Sequence, residues 1–328
     1  MIAKNEIINE YRKLIGSLQE FVAQSHLHAS GVCLGDDEIS VYSSEVKYLD
    51  EFTAYLNQPR ITPVNPRVKV YLIPHEEIQD KSIFSEIKYG HFQDNEISYL
   101  QNSRSRTVEI FDKKQLEFYI ITPLLEEFAQ SITSFNLYYL KQILNVLGYV
   151  NMHGAVVGRD DSGIFLANKG GSGKSSIMAY AIAQGMQTLG DDFLTIKKTD
   201  VKNFYSLYRH FKLSPSSPSL EIAQQKFLEI GQFGEKKVFE ISTQIGDVLR
   251  TKMRVKEVLI PYIGERNRIH EISSADALQK ILPSTLFLNS ANLSTIKTVQ
   301  KLLAEIPVFQ IELSLNLPEA FELLDSRL

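Results

Sequence analysis

Leu166-Ala167-Asn168-Lys169-Gly170-Gly171-Ser172-Gly173-Lys174-Ser175-Ser176 is the stretch whose reading decides the fold. The apolar run Gly163-Ile164-Phe165-Leu166 precedes it, and a helical-looking run, Ile177 to Gln184, follows it. Glycines between a strand and a helix let the backbone curl, so that successive N–H groups point inward at phosphate oxygens, and the start of the helix adds its positive dipole end. In this pattern Lys169 to Ser176 form the phosphate cradle, Lys174 reaches the β/γ-phosphates, and the Ser175 hydroxyl sits on Mg²⁺. The consensus opens with Gly, and here Asn168 stands in its place; Asn tolerates positive φ better than most residues. A helix cap alone would also use a glycine turn, but Gly-Gly-Ser-Gly-Lys-Ser-Ser carries more glycine and hydroxyl than capping needs.

The bulk numbers bound the rest. At 328 residues, 44% hydrophobic and 23% charged, the chain is long enough for two domains with real cores. Its net charge of −4 argues against a protein built to coat nucleic acid. Cys33 is the single cysteine, so neither an intrachain disulfide nor a cysteine-based zinc site can form, which suits a reducing cytosol. Met1-Ile2-Ala3-Lys4-Asn5-Glu6 opens no apolar leader, and no apolar run of membrane-spanning length follows, so a cytoplasmic protein without membrane association is expected.

Around the loop, the spacing predicts an amphipathic helix over 4–26 and then a mainly β lobe over 30–122, with strands at Ile39–Tyr42, Val68–Ile73, Ile97–Leu100, Val108–Phe111 and Leu116–Ile121. Helical spacing returns over 124–148 and ends at Gly148. The expected division is therefore 1–123, a helix plus a β-rich lobe, and 124–328, a kinase-like domain with a core over 149–200 and an α/β tail over 250–328. In the core, Ala155–Gly158, Gly163–Leu166 and Phe193–Ile196 read as strands alternating with helix. Residues 201–242 read as polar and irregular, with Ser214-Pro215-Ser216-Ser217-Pro218-Ser219 a clear loop. The tail is expected to hold a strand at Val255–Ile260, helices from Ser274 and over Ser294–Ala304, a strand at Val308–Leu313 and a last helix over Pro318–Leu324.

A reaction needs more than a phosphate cradle. Gly190-Asp191-Asp192 places two carboxylates at the entry to the Phe193–Ile196 strand, one available to a metal and the other to an acceptor hydroxyl; a solvated turn has the same composition. His153 precedes the Ala155 strand and either lies at the same end of the sheet or is a hydrogen-bonded structural residue. Phosphoryl transfer also calls for a cation on the transferred group, with Arg209, Lys212, Lys236, Lys237, Arg250 and Arg254 as candidates. Lys212 is preferred because it lies just before the Ser/Pro loop, a candidate lid.

Met152-His153-Gly154-Ala155-Val156-Val157, Gly171-Ser172-Gly173-Lys174-Ser175 and Gly190-Asp191-Asp192, in this order and at these separations, resemble the core of the HPr kinase/phosphorylase family, whose nucleotide-binding fold is similar to that of phosphoenolpyruvate carboxykinases. The match covers about residues 149–197. It implies an α/β fold, a carboxykinase-like P-loop nucleotide-binding core with a β-rich N-terminal lobe. It further implies that Lys174 and the loop amides hold ATP, that Ser175 and Asp191 lie near Mg²⁺, that Asp192 accepts the substrate proton, and that His153 lies close to the reacting phosphate. The two carboxylates can exchange roles without changing the scheme.

Family members carry Glu after Lys-Ser where this chain has Ser176, and neither their Glu-Ile-Arg-Gly signature nor their N-terminal domain is found here. The arrangement is closer to the HPr-kinase-related proteins of bacterial peptide-modification clusters. The expected function is thus an ATP- and Mg²⁺-dependent kinase acting on a hydroxyl, serine in a peptide, protein or small molecule, and not on HPr. The resemblance allows a homo-oligomer, since related kinases often assemble. The alternative is a nucleotide-binding regulatory or peptide-binding module without catalysis.

Overall fold

A computed structural model of the chain describes residues 4–54, 56–78, 91–102, 107–122, 138–241, 246–289 and 292–328. The fold is mixed α/β and divides into two compact units, one of residues 1–55 and 59–147, the other of 56–58 and 148–328.

The first unit opens with α1 (Lys4–Gln24), whose Tyr11, Leu14, Ile15 and Leu18 recur at steps of three and four and are buried together. They pack against an eight-stranded mixed sheet, chiefly on Tyr71, Tyr99, Ile110, Tyr119 and Ile121. The sheet comprises β1 (His28–Leu34), β2 (Asp37–Ser43), β3 (Arg60–Ile61), β4 (Val68–Pro74), β5 (His91–Gln93), β6 (Ile97–Asn102), β7 (Thr107–Asp112) and β8 (Glu117–Thr122), in the order β3-β1-β2-β4-β8-β7-β6-β5. Strands β2 and β4 are parallel, which requires a crossover, and α2 (Val46–Ala54) lies in that connection. Tyr42, Tyr71 and Tyr119 stack across three strands with ring centroids 5.2 Å apart at each step.

A short helix, α3 (Tyr138–Val146), also belongs to this unit, so the division falls at Leu147/Gly148 and not at the expected 123/124. Leu124, Phe128, Ile132 and Leu137, from which the longer helix was inferred, lie outside the described residues.

The second unit is built on a nine-stranded sheet. Its strands are β9 (Tyr149–Met152), β10 (Gly154–Arg159), β11 (Ser162–Ala167), β12 (Gln187–Gly190), β13 (Leu194–Lys197), β14 (Asp200–Ser206), β18 (Lys252–Ile263), β19 (Arg268–Glu271) and β20 (Val308–Leu313). Its spine is β18, which runs parallel to β11 on one side; on the other it pairs with β14 through its first residues and with β20 through its last. The sheet is apolar on both faces, so its strands read as continuous hydrophobic runs. Alternation sends Ile164, Leu166 and Leu259 to one face and Phe165, Ala167, Val258 and Ile260 to the other.

The helix after the glycine loop, α4 (Lys174–Ala183), covers the first face. Its Ile177, Met178, Ala181 and Ile182 are fully buried there, with support from α8 (Leu317–Asp325). On the second face lie α6 (Ser274–Asn289) and α7 (Leu293–Glu305), the latter capped by Asn292, whose side chain accepts from Thr295 N–H at 2.8 Å. Leu56–Gln58 joins this unit because the Asn57 side-chain amide donates to the Arg250 carbonyl at 2.8 Å.

Two expectations need correcting. Strand and helix do not simply alternate in the core, because β10 and β11 form an antiparallel hairpin closed by Asp160-Asp161, both at positive φ (47° and 62°), the geometry of a tight two-residue turn. Residues 201–242 are not irregular either: besides β14 they hold β15 (His210–Leu213), α5 (Leu220–Lys226), β16 (Leu228–Phe233) and β17 (Lys236–Glu240), of which β15, β17 and β16 make a three-stranded sheet in that order. These strands are short, and β16 exposes all six residues, so no buried face imposes a period on the sequence.

Candidate active site

The glycine loop spans Asn168 to Gly173 between the end of β11 and the start of α4. Gly173 stands at the helix N-terminus with φ 93°, a conformation that favours glycine, and a Cβ there would stand 3.0 Å from the side chains of Ile263 and Leu313 and oblige them to shift. Asn168 is buried, and its side chain does structural work on both ends: the amide donates to the Pro261 carbonyl at 2.7 Å, and the oxygen accepts from Lys169 N–H at 2.8 Å. A residue that departs from the consensus thus ties the loop to β18. The Lys174 ammonium is buried under the loop, donating to the carbonyls of Asn168 (2.8 Å) and Lys169 (2.9 Å). Ser176 shares a hydrogen bond with Ser217 at 2.8 Å, and Ser219 donates to the Ser176 carbonyl at 2.6 Å, so the Ser/Pro loop is fastened to α4.

Gly190 ends β12, and Asp191-Asp192 lies in the link from it to β13. Gly190 has φ 97°, and a Cβ there would stand 2.9 Å from the Tyr208 carbonyl. Asp192 is also left-handed, at φ 66°, a conformation that costs a non-glycine residue on the order of 1 kcal/mol and that Asp tolerates better than most. The turn sends the two carboxylates into different surroundings. Asp191 is buried with neither oxygen in a well-formed hydrogen bond, although the Ser175 hydroxyl lies near enough to favour its charged form. Burial, then the Asp192 charge, raise the Asp191 carboxyl well above the usual carboxylate range. Burial acts on Asp192 too, but the charges of Lys212, Lys236 and Lys174, joined by His153 when it is protonated, outweigh it and hold Asp192 below its ordinary value. Lys212 Nζ stands 3.3 Å from one Asp192 oxygen, and His153 Nδ1 lies 3.9 Å from the other.

These groups line one cavity of about 160 Å³ together with the loop from Gly170 to Ser176. The structure thus brings His153, Lys174, Asp192 and Lys212 to the same place, with Asp191 buried beside it. Of the six candidate cations only Lys212 and Lys236 line this cavity. Arg209 donates to the Leu56 carbonyl, Lys237 pairs with Glu229 at 2.9 Å, Arg250 pairs with Asp247 at 2.8 Å and Asp161 at 3.2 Å, and Arg254 is exposed. Lys236 was a candidate without a distinguishing signal, because only the β16–β17 hairpin carries it to the cavity. An adjoining cavity of about 270 Å³, lined by Ile263, Leu313, Leu317, Ser216 and Ser217 among others, shares Gly171, Gly173, Ser176 and Ser214 with the first.

Burial makes the Lys174, Lys212 and His153 side chains easier to deprotonate than usual, and His153 is therefore neutral at pH 7. His210, next but one to Lys212, is pushed down from 6.5 to about 4 by burial and then by the Lys212 charge. The unfolded chain binds this proton more readily, so the His210 contribution to stability is complete above about 6.5 and is lost as the pH falls toward 4. Asp191, shifted upward, changes stability in the opposite sense over the same range, so the test is a comparison: on going from pH 7 to pH 5, urea unfolding should show the unaltered protein losing on the order of 2 kcal/mol relative to His210→Phe.

The chain matches no family model and no curated protein. Among the described residues, no helix is long and apolar enough to cross a membrane.

Proposed function

We propose that the chain is an ATP- and Mg²⁺-dependent kinase with an HPr-kinase-like, carboxykinase-related core, which transfers the γ-phosphoryl group to a hydroxyl of an acceptor other than HPr. One observation carries this reading: the glycine loop, its buried lysine and Asp192 face one cavity, with Asp191 buried next to Asp192 and shifted the opposite way. Environments that push two like groups apart assign them different tasks.

Asp191 fits a dication. Its carboxylate is buried, lacks well-formed hydrogen bonds and has the Ser175 hydroxyl as neighbour. Mg²⁺ is commonly held by one or two protein oxygens plus phosphates, a number that Asp191 and Ser175 would supply. Bound there, Mg²⁺ would neutralise phosphate charge.

The residues of the chain supply the rest. Lys174 and the loop N–H groups hold the phosphates, and the adjoining apolar cavity receives the nucleoside. Asp192, kept ionised by Lys212, accepts the acceptor's hydroxyl proton as that oxygen bonds to phosphorus and the bond to the ADP oxygen breaks. A weak base suffices, because a loose transition state demands little proton transfer until late. Lys212 and Lys236 offset charge on the transferred group. Neutral His153 has a hydrogen-bonding nitrogen facing the same space.

Incubation with γ-labelled ATP, Mg²⁺ and serine-containing peptides should label the peptide, and chelation of Mg²⁺ should stop the transfer. Tight ATP binding with neither transfer nor hydrolysis would make the site a regulatory nucleotide sensor instead.

A further inference from the structure

Strand β16 protects its margin with a single irregularity of register, between Glu229 and Gly231, and little else. It is the outer strand of the β15-β17-β16 sheet, and among the described residues it pairs with β17 alone. All six residues are exposed, including Leu228 (55%), Ile230 (37%) and Phe233 (44%). Outer strands commonly carry lysine, proline or inward-pointing charge to discourage pairing. This one has Leu-Glu-Ile-Gly-Gln-Phe, and its single charge, Glu229, is engaged by Lys237 of the neighbouring strand at 2.9 Å. Gly231 has open space where a side chain would stand.

The strand also leads into the candidate active site. At its end the Phe233 ring lies 4.3 Å beneath the Lys212 ammonium, which is itself 3.3 Å from Asp192, and Lys236 across the hairpin turn lines the same cavity. With a rise of about 3.3 Å per residue, two or three residues of extended chain beyond Phe233 span the distance to the Asp192 carboxylate.

We propose that the outer edge of β16 receives an extended segment of the phosphoryl acceptor as an added strand, so that the acceptor is a polypeptide whose serine is delivered beside Asp192. The delivery clause rests on the kinase reading; the docking does not. Strand addition supplies affinity through main-chain hydrogen bonds, while the apolar side chains of β16 select what lies against them. A second copy of this chain is a weaker occupant, because edge-to-edge pairing would use the strand without using the cavity at its end.

The test is binding of fluorescein-labelled hexapeptides from a library with a fixed central serine, followed by fluorescence polarisation. The best binder is then N-methylated at each backbone nitrogen in turn. Methylation should weaken binding at every second residue, the period of an added strand, and Leu228→Lys with Ile230→Lys should weaken it about tenfold or more while ATP affinity stays unchanged. Both side chains are exposed, so the double variant should fold; the methylation series on the unaltered protein tests the proposal independently.

No hexapeptide bound below about 1 mM, equal tolerance of methylation along the peptide, or undiminished binding by a folded double variant would each overturn the proposal. So would a dimer, seen by analytical ultracentrifugation, that the double variant dissolves without any peptide being bound. A peptide bound with two-residue periodicity but never labelled from ATP would leave the docking surface standing and refute the kinase reading.

Discussion

Lys174→Ala should weaken MgATP binding by roughly a hundredfold, about 3 kcal/mol, as measured by titration calorimetry. The ammonium is the buried cation of the glycine loop, held in place by the carbonyls of Asn168 and Lys169. In the nucleotide complex it would exchange those carbonyls for phosphate oxygens, trading neutral acceptors for charged ones, which form the stronger hydrogen bonds. Truncation removes that gain and also strips the loop of its internal brace. The fold should survive, because the helix is anchored by Ile177, Met178, Ala181 and Ile182 and not by the lysine. Thermal unfolding of the variant without nucleotide should therefore change little, while the stabilisation that ATP gives the unaltered protein should vanish. Unchanged ATP affinity in a folded Lys174→Ala variant would remove the loop from the nucleotide site.

What could be read from the sequence followed from how local the governing physics is. The glycine loop is one contiguous stretch, Asn168 to Gly173, whose conformation is set by its own glycines and hydroxyl, and just past the helix beyond it Gly185 takes a positive φ of 89°. The carboxylate pair was visible as a pair because adjacency needs no fold to establish it. Their division of labour was not, since it depends on Lys212 and His153, which arrive from β15 and from the link between β9 and β10. Asn168 could be recognised as a departure, but its bond to the Pro261 carbonyl spans 93 positions of sequence. In the same way Lys212 and Lys236 differ from Arg209, Lys237, Arg250 and Arg254 only in where their strands run, and a long cation carries no mark of its eventual neighbour.

The strands follow the same logic. Runs buried on both faces, such as Gly163–Leu166, announce themselves by composition, whereas β14 alternates Val201 and Phe204 with polar residues over a short span, and β16 buries nothing. Pairing is less legible still. That β18 divides one of its sides between β14 and β20 is a property of its length and its neighbours, and no window of the sequence contains both.

Asp192→Asn should lower kcat for phosphoryl transfer by roughly 10³-fold, about 4 kcal/mol of barrier, with little change in MgATP affinity. The amide has nearly the shape of the carboxylate and can fill the same left-handed turn, for which Asn is well suited. What it cannot do is accept the hydroxyl proton. The substitution also has an electrostatic signature that a merely structural residue would not produce. The Asp192 charge is, after burial, the largest influence raising Asp191, so its removal should let Asp191 ionise at lower pH and extend Mg²⁺ binding toward acid. Lys212 loses the Asp192 carboxylate 3.3 Å away and, being buried, should become easier to deprotonate. Transfer should thus collapse while Mg²⁺-dependent ATP binding persists to lower pH than in the unaltered protein, a split between kcat and binding that identifies an interaction made in the transition state. Full transfer activity in a folded Asp192→Asn variant would move the base role to another group, with neutral His153 the first to examine.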